Sequence, residues 1–169
     1  EKYEVLTFTK SFHGRTYGSL SATGQATYQE AFGPMLPGFA YAPFGDLEAA
    51  EDMVGPQTAA VLVEPIQGEG GINQASEGFL QSLRDLCDEH EALLIFDEVQ
   101  TGAGRTGHLY AYQGVGVVPD VLTSAKGLGG GYQPRSDFLV QECAAQPGCG
   151  AADRKTQEVA PVAEIEGYR

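Results

Sequence analysis

Leu93-Leu94-Ile95-Phe96-Asp97-Glu98-Val99-Gln100 and, further along, Val121-Leu122-Thr123-Ser124-Ala125-Lys126-Gly127-Leu128-Gly129-Gly130-Gly131 are the stretches on which the fold turns. Each opens with a short, mostly apolar run, the composition of a strand covered on both faces. Each then meets one charged residue, Asp97 in the first and Lys126 in the second. From Glu77 to His90 the apolar positions Phe79, Leu80, Leu83, Leu86 and Cys87 recur at helical spacing, ahead of a strand read from Ala92 to Phe96. Upstream, Ala59-Ala60-Val61-Leu62-Val63 reads as another compact strand, and Asp46 as the N-cap of a short acidic helix running to Val54. Strands alternating with helices make right-handed βαβ crossovers, so an α/β fold with a mostly parallel sheet is expected, its ligands lying beyond the carboxyl ends of the strands. Asp97 and Lys126 fall at two such ends. Glu1 to Phe8 supplies a further short strand. Tyr17 to Gly45, dense in Gly, Pro and aromatic residues, reads as an irregular, well-packed loop.

Composition narrows the function classes. With 169 residues, 42% of them hydrophobic, the chain can build one packed core. Ten Lys and Arg against 23 Asp and Glu give a net charge of −13, which argues against a nucleic-acid partner, because phosphate backbones need a basic face. Cys87, Cys143 and Cys149 are odd in number and lack C-x-x-C spacing, so neither a disulfide framework nor a metal site is expected, and a reducing cytoplasm fits. Nothing in the sequence approaches the roughly 18 apolar residues of a membrane span. The abrupt opening on Glu1-Lys2-Tyr3-Glu4 reads as the middle of a longer chain.

Two further motifs accompany the first pair: Ser11-Phe12-His13-Gly14-Arg15-Thr16, and Val63-Glu64-Pro65-Ile66-Gln67-Gly68-Glu69-Gly70-Gly71. Together the four segments, from about Ser11 to Tyr132, resemble the class III (ornithine-type) aminotransferases, the acetylornithine enzymes above all. The resemblance implies the large domain of a fold-type I pyridoxal-phosphate-dependent transferase, incomplete here. Residues 1–142 would be the central part of that domain and 143–169 a divergent or disordered tail.

By the same resemblance Lys126 bonds covalently to the aldehyde of pyridoxal 5'-phosphate and moves the proton at the substrate Cα, while Asp97 pairs with the protonated ring nitrogen. Phe12 and Val99 would pack on the two ring faces, Gln100 would hydrogen-bond the phenolic oxygen, and Glu98 would complete that cofactor-binding segment. Arg15 would grip a substrate carboxylate, and Glu69 would face the substrate pocket, paired with an arginine from further along a complete family member. Glu64 is read as supporting its neighbours, and Arg105 as structural, tying its glycine turn to a carboxylate. His13 is read as a packing residue outside the catalytic set.

The implied reaction passes an amino group from N-acetylornithine, or a related ω-amino donor, to 2-oxoglutarate, giving the semialdehyde and glutamate. Arginine biosynthesis is the implied context and a homodimer the implied assembly. Two other readings stand beside it. Leu93 to Glu98 also resembles a Walker B strand of an ATPase, against which weighs the lack of any G-x-x-x-x-G-K-[ST] run. A non-catalytic piece of an aminotransferase is the second. From Gln133 the sequence leaves the family pattern at Gln133-Pro134-Arg135-Ser136-Asp137, and after Cys143 the expected phosphate-binding threonine segment is not found. Two reading-frame slips in the coding sequence, or a divergent truncated copy, would each account for that departure.

Overall fold

The structure, a computed structural model, describes residues 1–141 and 159–161. Its centre is a seven-stranded sheet in the order β2-β1-β3-β6-β7-β8-β9. The strands are β1 (Glu4–Phe8), β2 (Phe39–Ala42), β3 (Thr58–Val63), β6 (Leu93–Asp97), β7 (Val121–Ser124), β8 (Asp137–Gln141) and β9 (Val159–Pro161), with β4 (Ile66–Gln67) and β5 (Asn73–Gln74) forming a separate small antiparallel hairpin. Pairings from β2 through β7 are parallel, with Val63 opposite Phe96 and Asp97 opposite Thr123. β8 returns antiparallel to β7, and β9 is antiparallel to β8. The α/β, mostly parallel expectation is met.

Alternation along the strands sorts core from site. Leu6 and Phe8 on β1, Val61 and Val63 on β3, and Leu94 and Phe96 on β6 are sealed into one apolar cluster. Into it pack α3 (Leu47–Met53) and α4 (Glu77–Glu89), the latter through Phe79, Leu80, Leu83, Leu86 and Cys87. Phe8, Phe44 and Phe79 meet edge to face in a triangle with centroids 5.6 to 6.1 Å apart. The intervening residues, Thr7 on β1 and Asp97 on β6, belong to the opposite face. Both α3 and α4 start as their sequence foretells: Asp46 accepts from the Ala49 N–H and Ser76 from the Phe79 N–H, each at 3.1 Å. Lys2 donates to the carbonyls of His90 and Glu91 at the end of α4, which suits a cation at a helix C-terminus.

The segment from Tyr17 to Gly45 corrects the loop reading. It holds two short helices, α1 (Tyr17–Ala22) and α2 (Ala26–Gln29), and the edge strand β2. What orders it is tertiary: the Ser21 hydroxyl donates to the Tyr17 carbonyl and accepts the Leu36 N–H, while Gln29 donates to the Leu20 and Thr23 carbonyls and the Tyr41 hydroxyl. Strand ends differ from the sequence reading by about one residue, the ordinary scatter of element boundaries, except that β1 begins at Glu4 and not at Glu1. The tail expected from residue 143 falls largely outside the described residues; within it Val159–Pro161 is β9. No helix among the described residues is long and apolar enough to cross a membrane.

Candidate active site

Asp97 closes β6, and its carboxylate is held by three donors from three segments. Oδ2 takes His13 Nδ1 at 2.7 Å, and Oδ1 takes the Val99 N–H at 3.1 Å and the Thr123 hydroxyl at 3.0 Å. A carboxylate offers roughly four lone-pair positions, so one remains on Oδ2. Asp97 is buried, 7% exposed, at the carboxyl end of β6. Facing a carboxylate requires a proton on His13 Nδ1, while Nε2 lies 3.1 Å from the Thr7 hydroxyl. Thr7 meets the Ser11 hydroxyl at 3.3 Å, and Ser11 accepts the Gly24 N–H at 2.9 Å. His13 is therefore more than the packing residue the sequence suggested. It is part of what aims Asp97, and its place beside Phe12 in the Ser11–Thr16 motif was the signal available.

Lys126 follows β7 on the strand next to Asp97, exposed, with φ of +47°. A non-glycine residue uncommonly adopts that left-handed backbone conformation, which costs on the order of 1–3 kcal/mol; Lys10, Ile72, Glu91 and Ala103 share it. The turn that begins there depends on Gly127: a Cβ at that position would stand 2.9 Å from Ala103 Cβ. Arg105 lies against the same glycine. Among the described residues Arg105 makes no ion pair, so the carboxylate expected to anchor it is replaced by packing on the Lys126 turn.

Gln100 and Glu69 come together. Gln100 Nε2 donates to Glu69 Oε1 at 3.1 Å, and a Cβ on Gly68 would come within 3.2 Å of Gln100 Cγ. Phe12 is half-buried, edge to face with Tyr28 at 5.3 Å, and its N–H reaches Glu64 Oε2 at 3.1 Å. Arg15 is exposed on the same motif, and the described contacts do not join it to the other site residues.

Glu98 departs from expectation. Its carboxylate is fully buried and turned to the start of α5 (Ala111–Val115), where it accepts the Ala111 N–H, the Tyr112 N–H at 2.9 Å and the Thr101 hydroxyl at 3.0 Å. Burial pushes its pKa up against these three bonds, with the Asp97 charge adding to the rise. The segment needs a charged-type side chain there to satisfy helix N–H groups, and none of its oxygen faces the strand ends. Glu64 is 3% exposed, and burial raises its pKa from 4.5 to about 8 although the Phe12 and Gly68 N–H groups oppose the rise; the charges of Asp97 and Glu69 add to it. Two adjoining strand ends thus carry two acids in different settings, Asp97 supplied with donors and Glu64 buried and holding its proton at neutral pH.

The family model for class III aminotransferases matches residues 1–151. The chain belongs to that family. The matched span runs past Tyr132, where the sequence reading saw its motifs end. Acetylornithine aminotransferase 1 of Bradyrhizobium diazoefficiens is 52% identical over 151 residues, covering 89% of this chain and 37% of that enzyme. The ornithine aminotransferase of Toxoplasma gondii superposes with a TM-score of 0.78 at 33% identity, over 95% of this chain and 38% of that one. A PLP-bound amine transaminase from an uncultivated Pseudomonas species gives 0.78 at 31%, over 83% and 37%. The chain therefore spans little more than a third of the length of these relatives.

Proposed function

We propose that this chain carries the cofactor-anchoring part of a pyridoxal-phosphate-dependent aminotransferase. The observation that supports it best is the Asp97 carboxylate, aimed by His13, Val99 and Thr123 with one lone pair left, on the strand beside the one that leads to Lys126. A lone acceptor with negative charge at a strand end suits a protonated aromatic nitrogen, so the donor set fits the group. When bound, pyridoxal phosphate supplies an aldehyde that condenses with amines and a ring that takes up the electron pair left at Cα.

Each residue then has a part. Lys126 Nζ would hold the cofactor's aldehyde carbon and, once freed, would carry a proton at the substrate Cα. Asp97 would pair with the protonated ring nitrogen. Phe12 and Val99 would bound the ring faces, and Gln100, which meets Glu69, would hydrogen-bond the phenolic oxygen. Arg15 and Glu69 address the substrate's charged ends. Glu98 does its work one step back, holding α5. The 52% identical relative is named an acetylornithine aminotransferase, which supports N-acetylornithine as the donor, and 2-oxoglutarate is the acceptor we propose with it.

The test is to add pyridoxal phosphate to the chain, record the visible spectrum, reduce with borohydride and locate the pyridoxyl group by peptide mass spectrometry. Labelling should concentrate on Lys126 and vanish in Lys126→Ala; labelling spread over Lys2, Lys10 and Lys126 alike would sink the reading. A homodimer is the assembly we propose, as the resemblance to class III aminotransferases implies. Light scattering of the chain should give twice the monomer mass, and a clean, stable monomer would count against it.

A further inference from the structure

We propose that Glu64 is a positioning residue: its buried carboxyl group, taking the N–H groups of Phe12 and Gly68, ties the segment that presents Phe12 to the corner that presents Gln100 and Glu69. The proposal rests on the cofactor reading above, because it assigns a purpose to holding those two pieces in register.

The geometry runs through one side chain. Glu64 follows β3 directly and is held in place by Pro65, itself buried. Phe12 lies in the loop after β1, and β1 and β3 are neighbours in the sheet. The Phe12 N–H belongs to no strand ladder, and its acceptor is Glu64 Oε2. On the other side, Gly68 turns the chain between β4 and Glu69, and its missing side chain is what lets Gln100 lie against it. Gln100 in turn donates to Glu69. One buried carboxyl thus joins an aromatic face, an amide donor and a substrate-facing carboxylate that come from three separate stretches of sequence.

The group's charge matters as well as its shape. Val63 pairs with Phe96, so Glu64, just past the end of β3, lies beside Asp97, the last residue of β6. Asp97 and Glu69 are the ionisable groups that face Glu64, and both are acids. Burial holds the Glu64 proton up to a pKa of about 8, so at neutral pH Glu64 adds no charge of its own beside Asp97. Above that pH the ionised Glu64 would repel both neighbours and loosen the tie. An amide in its place keeps the shape and one acceptor and has no proton to lose.

The test uses the whole chain and pyridoxal phosphate as the probe. Without cofactor, hydrogen exchange at the Phe12 and Gly68 amides is compared in the wild type, Glu64→Gln and Glu64→Ala, with circular dichroism to check folding. With cofactor, its dissociation constant is followed from about pH 6 to about pH 9. In Glu64→Ala both amides should exchange roughly tenfold faster, and cofactor should bind roughly tenfold more weakly. Glu64→Gln should stay within about twofold of wild type at pH 7 and lack the weakening that the wild type shows above about pH 8. Unchanged exchange in Glu64→Ala, or a Glu64→Gln protein that follows Glu64→Ala at every pH, overturns the proposal. If the wild type takes up no cofactor while the amides respond as described, the tie stands and the aminotransferase reading falls. If Lys126 is labelled while the amides ignore Glu64, the reverse holds.

Discussion

Asp120→Ala should destabilise the chain by about 3–5 kcal/mol, the cost of leaving a buried charge without its partner. Arg84 projects from α4 into the protein, 6% exposed, and its Nη1 donates to Asp120 Oδ2 at 2.9 Å. The same oxygen accepts the Leu94 N–H at 2.7 Å, at the start of β6. Asp120 itself, fully buried, stands at the entry to β7. One carboxylate therefore fastens α4 to the two strands whose far ends carry Asp97 and Lys126. Asp88, one helical turn along at 2.8 Å from Arg84 Nη2, keeps part of the guanidinium engaged, which is why the loss should sit within that range and not above it. Urea titration reads the effect as a fall in midpoint with an unchanged slope. A loss below about 1 kcal/mol would mean that Asp88 or water replaces Asp120 fully. Removing both charges in Arg84→Met/Asp120→Leu should recover only part of the stability, because the double variant leaves Asp88 without Arg84 and the Leu94 N–H without its acceptor.

What the sequence made legible was whatever local composition alone decides. β3, β6, β7, α3 and α4 announce themselves by apolar runs or helical spacing with a capping residue ahead, and Asp97 and Lys126 are conspicuous because a charge terminates each strand. β2 was not legible: Phe39-Ala40-Tyr41-Ala42 is four residues long, shows no alternation, and is a strand because β1 offers a parallel edge to it. α1 and α2 depend on side-chain hydrogen bonds of Ser21 and Gln29 to groups up to 15 residues away, which apolar periodicity does not register. The same limit applies in the site. Nothing adjacent to Glu98 says that its carboxylate turns toward the N–H groups of Ala111 and Tyr112, and nothing adjacent to His13 says that Asp97 waits 2.7 Å away. Alternation on β1 was the usable clue there, since it puts polar Thr7 on the face opposite Leu6 and Phe8.

The second large effect is on the pH dependence of stability. Glu64 has a pKa near 4.5 when unfolded and about 8 when folded, so between those values the folded chain binds a proton that the unfolded chain has released. Stability from this group is complete below about pH 4.5, falls as pH rises, and levels off once pH passes about 8. The slope approaches 1.4 kcal/mol per pH unit inside that window, and the full span reaches about 4–5 kcal/mol as an order of magnitude. Glu98 is shifted in the same direction and adds to the fall. Wild-type protein should therefore unfold at lower urea at pH 8 than at pH 6, and Glu64→Gln should flatten that decline while leaving the part due to Glu98. A wild-type midpoint that rises across the same range would show that Glu64 is ionised in the folded state, and with it that two negative charges share the ends of β3 and β6. The chain tolerates the cost of an acid in that position because a neutral carboxyl can accept the Phe12 and Gly68 N–H groups without competing with Asp97 for a cation at the strand ends.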